Sequence, residues 1–282
     1  MKIALIPNKS KDKDFAVSRA VIDFLFSRGA ELYIEKRYSR DELTNVTVVD
    51  SLPKGLELIL VIGGDGSVID ASVPATELDV PVLGVNLGNL GYLAEIEPSE
   101  IEKLAALFDG KYSVEERMLL SCTVEYNGVI EESDRLAVNE IIVSHESYVG
   151  LAKLKLAESN GAGVKYRADG LILSTPIGTT AYSLSAGGPI VSHDIDAIVA
   201  TPICPHSFFN RSIVFKSDEE LSVTNNGSDT LNVTVDGRFF TKLLPGGVCK
   251  VRTADKRFKM ITFSENNMVQ TLFEKMKRFE NI

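Results

Sequence analysis

Cationic stretches are what this 282-residue chain lacks most plainly. Its 30 Lys and Arg face 39 Asp and Glu, a formal net charge of −9. No basic run is dense enough to track a nucleic-acid backbone or an anionic bilayer, so neither is an expected partner. Histidine and cysteine are sparse, three of each. His145, His193 and His206 stand apart, and Cys122, Cys204 and Cys249 form no CxxC pair and no zinc-type spacing with histidine, which reads as reduced core thiols. No apolar run approaches the roughly twenty residues of a membrane span. The opening segment Met1 to Pro7 has no signal-peptide character and reads as a strand, which makes a reducing cytoplasm the expected compartment. Small molecules or proteins remain as partners.

What is present is a globular composition, 44% hydrophobic and 24% charged, with too much apolar surface to stay disordered. The length exceeds the usual span of one core and predicts two domains. In the first third, strand and helix patterns alternate. Ile3 to Ile6 is a short apolar strand, and Phe15, Ala16, Ala20, Val21, Phe24 and Leu25 recur at helical spacing before Gly29. Strands are predicted around Leu32 to Ile34, over Leu56 to Ile62 and over Pro81 to Val85, and their near-continuous apolar character suits a parallel sheet covered on both faces. Ser99 to Glu102 has the S-x-x-E capping-box pattern, with Gly110 beyond the helix it would open. This predicts a doubly wound α/β domain over residues 1–110.

From about Lys111 the pattern becomes one of short apolar segments between turn residues. Strands are predicted over Leu119 to Val124, Leu136 to Val143, Leu171 to Ser174, Ile213 to Phe215, Leu231 to Val235, Val248 to Val251 and Lys259 to Phe263. Asn127-Gly128, Asn226-Gly227 and Asp236-Gly237 are tight-turn dipeptides. The expectation is a mostly-β, β-sandwich-like domain over 111–263. Residues 264–282 return to helical periodicity, with Val269, Leu272, Phe273, Met276 and Phe279 on one stripe. That helix is expected to complete the first domain or to meet a second subunit.

Four segments concentrate polar or flexible residues. Gly63-Gly64-Asp65-Gly66-Ser67 follows a buried strand and precedes a helix start, a place where backbone can approach a ligand closely. An Asp repels phosphate, so Asp65 fits better as an acceptor for a hydroxyl; an ordinary strand-to-helix turn would also use these residues. No Gly-Lys-Ser/Thr follows, so this is no Walker A loop. Gly84 to Leu93 adds glycines at GxxxGxxG spacing, which fails the Rossmann fingerprint and reads as a plain loop or as the wall of a pocket. Asn139-Glu140 places an amide and a carboxylate in an apolar strand, either as a sheet-edge pair or as partners for ligand hydroxyls. The densest segment runs from Arg167 to Pro189, where hydroxyls, small residues and Tyr182 follow a strand; it has no G-x-S-x-G elbow and suits a base and ribose. Asp236-Gly237 reads first as a hairpin turn.

In this order these segments, with Thr201 to His206, resemble the NAD kinase family over most of residues 60–240. The GGDG element alone is shared with diacylglycerol, sphingosine and phosphofructokinases, whereas the block from Asp169 to Pro189 is specific. The resemblance implies an α/β domain, a β-sandwich-like domain and a site between them. The activity implied is transfer of a phosphoryl group from ATP, or polyphosphate, to the 2′-hydroxyl of the adenosine ribose of NAD. Asp65 would be the base or orienting acceptor and Gly66 an adjoining backbone contact. Asn139 and Glu140 would hold nucleoside hydroxyls and the base edge. Lys165, Arg167 and Asp169, with Thr180, Ala181, Tyr182, Ser183 and Ser185, would shape the dinucleotide pocket, with Tyr182 stacking on a ring. Lys165, Arg167 and Arg211 are the candidate cations, and His206 reads as structural. Mg²⁺ would arrive with ATP, held by its phosphates and water and by no protein cage. NADP(H) as a regulator and a homodimer or homotetramer complete the implied picture. Ser67, Ile177, Asp70 and Arg238 depart from the residues common in the family. A non-catalytic dinucleotide sensor, and a GGDG kinase acting on a lipid or sugar, are the rival readings.

Overall fold

A computed structural model describes residues 1–88, 92–145 and 150–263. The expected helix over 264–282 lies outside the described residues, as do Asn89, Leu90 and Gly91 of the second glycine segment. The chain forms two compact units, Met1–Glu116 with the chain from Phe258, and Arg117–Arg257.

In the first unit, β1 (Lys2–Pro7), α1 (Ala16–Ser27), β2 (Glu31–Glu35), β3 (Thr47–Val49), β4 (Leu58–Gly63), α2 (Asp65–Leu78) and β5 (Val82–Asn86) alternate along the chain. The strands pair in parallel in the order β5-β4-β1-β2-β3. β1, β4 and β5 are buried almost end to end, as a sheet covered on both faces requires. α1 buries Val21, Ile22 and Leu25 and ends where Gly29 takes φ 78°, the left-handed turn that glycine accepts without strain. The order runs outward from β1 to β3 and then returns to β4 on the other side of β1. The point of reversal is therefore between β1 and β4, where open α/β sheets bind ligands beyond the strands' carboxyl ends.

The helix predicted after Ser99 forms, but with a different start. Glu97 caps it, with Glu97 and Glu100 completing the reciprocal box and Pro98 in the first turn. A 3-10 segment, Pro98–Leu104, leads into α3 (Ala105–Asp109), and Gly110 closes it with φ 66°. Glu97 can serve where Ser99 was expected because a carboxylate accepts the same first-turn N–H.

The second unit is built from β6 (Ser113–Tyr126, which enters it at Arg117), β7 (Val129–Glu132), β8 (Glu140–His145), β9 (Ala152–Ala157), β10 (Gly163–Ala168), β11 (Gly170–Ser174), α4 (Tyr182–Ser185), β12 (Ala197–Ile203), β13 (Ile213–Lys216), β14 (Leu221–Asn225), β15 (Leu231–Val235), β16 (Arg238–Leu243) and β17 (Val248–Thr262, which leaves it after Arg257). Strands β10-β9-β14-β17 form one sheet, with β6 on β17 and β7 on β6. The other is antiparallel throughout, in the order β13-β12-β11-β8-β15-β16. One buried cluster takes Leu154, Tyr166, Val223 and Cys249 from the first sheet and Ile141, Val143, Leu171, Leu173 and Val233 from the second. The two sheets therefore pack face to face as a β-sandwich.

Four expectations are corrected. Val248 to Val251 and Lys259 to Phe263 belong to the single strand β17, because Arg252 to Arg257 continue the extended backbone with their charges in solvent. β8 begins at Glu140, so Leu136 to Asn139 stand outside it. Asn127-Gly128 and Asp236-Gly237 both take positive φ at each residue and close hairpins, but Asn226-Gly227 joins β14 to β15 across two different sheets, and Gly227 is not left-handed. Cys122 and Cys249 are buried as expected, whereas Cys204 is exposed at φ 45° just past β12. The Cys249 thiol is pushed up by its hydrogen bond with Cys122 and by burial.

Candidate functional site

Asp65 is the first residue of α2, directly after the β4 turn. Its carboxylate accepts the N–H of Tyr92 at 2.7 Å and of Leu93 at 3.1 Å, so one side chain ties the loop after β5 to the loop after β4. Burial, helped by the Asp65 charge, pushes the Tyr92 phenol up. Gly66 is exposed, and a Cβ built on it would meet nothing in the protein. An ionised carboxylate accepts about four hydrogen bonds in all, so Asp65 keeps capacity for an incoming hydroxyl. The departures Ser67 and Asp70 lie on the same helix; Ser67 Oγ accepts a hydrogen bond from Asn8 Nδ2 at 2.8 Å.

In the second unit, strand register builds a floor. β8, β11 and β15 turn Ile141, Val143, Leu171, Leu173 and Val233 into the sandwich core. By alternation, Glu140, Ile142 and Ser144 take the opposite face. There Thr234, Ile142, Ile172 and Thr201 align across β15, β8, β11 and β12, and Ser144, Gly170 and Ile203 form the next row. Gly170 is needed in that row, since a Cβ would lie 2.7 Å from the Val143 carbonyl and 2.8 Å from Ser144 Cβ. Ile142, Ile172 and Ile203 cluster with Ala186, which lays the segment after β11 over this face. A pocket of about 250 Å³ results, lined by Ile142, Ser144, His145, Gly150, Asp169, Tyr182, Ile203 and Thr234.

Among the residues singled out from sequence, the pocket brings together Asp169 and Tyr182. Tyr182 is 45% exposed, so it stands over the pocket and does not anchor the segment in the core. Its hydroxyl and the Asp169 carboxylate have no hydrogen-bond partner among the described residues. Ser183 is buried beneath, sharing a hydrogen bond with Thr201 at 3.0 Å. Thr180 spends its hydroxyl on the Ile177 carbonyl at 2.9 Å, and Ala181 links the 3-10 segment Ile177–Thr180 to α4. Ser185 is exposed at the end of α4. Lys165 and Arg167 project from the exposed face of β10, opposite Tyr166 and Ala168, and line no part of the pocket. Ile142, Ser144, His145, Gly150, Ile203 and Thr234 are the lining residues that sequence reasoning missed. Only the alternation of β8 hinted at the first two.

Asn139 and Glu140 sit where the Asp236 carboxylate accepts three main-chain N–H groups, from Val138 at 2.8 Å, Asn139 at 2.8 Å and Glu140 at 3.0 Å. The hairpin dipeptide Asp236-Gly237 is thus also a clamp. Asn139 is half-buried, and Gly178 packs so tightly on its backbone that any Cβ there would collide with it. Glu140 is buried, with Oε2 unpartnered among the described residues. Burial, with the Asp236 charge beside it, pushes its carboxyl up to about 7. Burial likewise raises Asp236, opposed by its three N–H donors.

Residues 3–112 match the ATP-NAD kinase N-terminal domain, and residues 138–263 match the ATP-NAD kinase C-terminal domain. An NAD kinase of Lachnoclostridium phytofermentans is 33% identical over 278 residues, covering 96% of this chain and 97% of that one. An NAD kinase of Clostridium perfringens is 35% identical over 289 aligned positions, with 99% of each chain covered. Among solved structures, yeast NADH kinase complexed with NADH superposes with a TM-score of 0.82 at 22% identity, over 97% of this chain and 86% of that one. An NAD kinase from Archaeoglobus fulgidus in complex with ATP gives 0.73 at 23% identity, over 98% and 99%. At such identities the two structures speak to the fold.

Proposed function

Because this chain belongs to the ATP-NAD kinase family, we infer that it is a kinase that phosphorylates NAD with ATP. The observation carrying the inference is the agreement of both units, over nearly the whole chain, with the two domains of that family. The acceptor in this reading is the 2′-hydroxyl of the adenosine ribose, and the product is NADP. The oxygen–phosphorus bond forms as the bond to the donor's leaving phosphate breaks, and the hydroxyl proton passes to Asp65.

Phosphoryl transfer runs through a loose transition state, so alignment and charge neutralisation matter more than base strength. Asp65 is suited to alignment, since two loop N–H groups fix its carboxylate and Gly66 leaves open space beside it. The pocket over β8 and β11 suits a flat ring, since Ile142, Ile203 and the Tyr182 ring line it together with the polar side chains of Asp169, Ser144 and Thr234. Among the described residues no three His, Cys, Asp or Glu stand together as a metal site. In this reading a divalent cation arrives with the nucleotide and is held by its phosphates, where it neutralises their charge. NADP(H) as a regulator and a homodimer or homotetramer belong to the same reading. Among the described residues no helix is long and apolar enough to cross a membrane.

The test is an end-point assay for NADP from NAD, ATP and Mg²⁺, run on the native chain and on Asp65→Asn, with polyphosphate replacing ATP in a parallel arm. The native chain is expected to form NADP and the variant to lose at least about a hundredfold in rate. NAD binding without product in the native chain would make it a sensor, and equal rates would remove Asp65 from the chemistry.

A further inference from the structure

The turn after β1 is built onto the loop after β4. Asn8 donates its main-chain N–H to the Ile62 carbonyl at 2.8 Å and its side-chain amide to Ser67 Oγ at 2.8 Å. Its Oδ1 accepts from Ser10 N–H at 3.0 Å, Ser10 Oγ at 2.7 Å and Lys11 N–H at 3.3 Å. One residue further, the buried Asp12 carboxylate accepts the first-turn N–H groups of α1, from Val17 at 3.3 Å and Ser18 at 2.8 Å. Lys11 is thus held between two pinned residues, and its side chain has a defined place. Its ammonium lies against Gly64 and Gly88 together: a Cβ built on Gly88 would stand 2.8 Å from Lys11 Nζ, and one built on Gly64 would collide with the same atom.

Neither glycine is there for its backbone conformation, since neither has a positive φ. What their missing side chains leave room for is the ammonium. No carboxylate pairs with it among the described residues, although the chain carries an excess of acidic groups. The position is the point of strand-order reversal between β1 and β4, beside the first turn of α2 (Asp65–Leu78), whose leading N–H groups lack intrahelical acceptors.

We propose that Lys11, seated between Gly64 and Gly88 beside Asp65, is a phosphate-binding residue that grips the triphosphate of the donor. The assignment rests on the kinase reading above and adds to it the cation that the donor meets. Two diphosphate-bearing ligands compete for the position, the donor and NAD. The donor is favoured because its terminal phosphate must come to the Asp65 loop, and because charge grows on its leaving oxygens as the reaction proceeds. A compact ammonium on a flexible stem can follow that charge.

The experiment compares the native chain with Lys11→Met and Lys11→Arg. Binding of a non-hydrolysable ATP analogue, of NAD and of inorganic tripolyphosphate is read by calorimetry, and KM for ATP and for NAD by kinetics. Lys11→Met is expected to weaken the analogue and tripolyphosphate about ten- to a hundredfold, to raise KM for ATP and to leave NAD affinity unchanged. Lys11→Arg should restore most of the loss. Weakened NAD binding with unchanged analogue binding would hand Lys11 to the acceptor and overturn the assignment, as would no change in either ligand. The calorimetry needs no turnover, so a native chain that forms no NADP would sink the kinase reading and leave Lys11 decided by binding alone.

Discussion

Glu140 is a buried carboxyl with an oxygen that no described donor reaches, beside a second carboxyl whose own oxygens are taken by main-chain N–H groups. Its ionised form is the costly one. In the folded chain it titrates near 7 against an ordinary value of 4.5, so between those limits the folded state holds a proton that the unfolded chain releases. Folding stability therefore falls as pH rises through this window and levels off above about 7. Glu140→Gln lacks that titration, and its stability relative to the native chain should grow across the window, by at most about 3 kcal/mol. Urea melts at several pH values measure it, and a difference independent of pH would refute the burial argument. Gly66 poses the opposite case. A methyl group there meets nothing in the protein, and alanine is the better helix former by about 1 kcal/mol. Gly66→Ala should keep or raise the melting temperature while lowering kcat/KM about tenfold or more; unaltered kinetics would mean that no ligand approaches this backbone.

At the scale of elements, the segment after β11 shows how a few local contacts place a ring over a sheet. The 3-10 segment Ile177–Thr180 and the single turn of α4 are held by Thr179 Oγ1 on the Pro176 carbonyl at 2.6 Å and by Ser183 on Thr201. Tyr182 is left projecting over the pocket with no structural duty of its own. Tyr182→Ala should accordingly leave stability within about 0.5 kcal/mol and raise the KM for NAD about tenfold by removing a stacking surface. An unchanged Michaelis constant would argue against stacking. The same scale explains which strands could be read in advance. β15 alternates buried and half-buried residues and was legible to the residue. β9 and β10 were not, because their lysines and arginine interrupt the apolar pattern while Leu154, Leu156, Tyr166 and Ala168 still turn into the core.

For the whole molecule, the net charge of −9 offers no help to ligands bearing phosphates, so recognition must rest on local features such as a helix N-terminus and a placed ammonium. The sequence by itself determined two things. One was the alternation of an α/β half with a β-rich half, because hydrophobic periodicity is a short-range property written along each element. The other was the glycine-aspartate turn after β4, because strand, turn and helix start are contiguous there. Tertiary structure alone decided the rest. The pocket draws Ile142, Thr234 and Ile203 from three strands through cross-strand register. Lys11 meets Gly64 and Gly88 only because parallel pairing sets β1, β4 and β5 side by side with their carboxyl ends together. Such meetings depend on sheet order and register, which are set by long-range burial and leave no mark on the neighbouring residues of the chain.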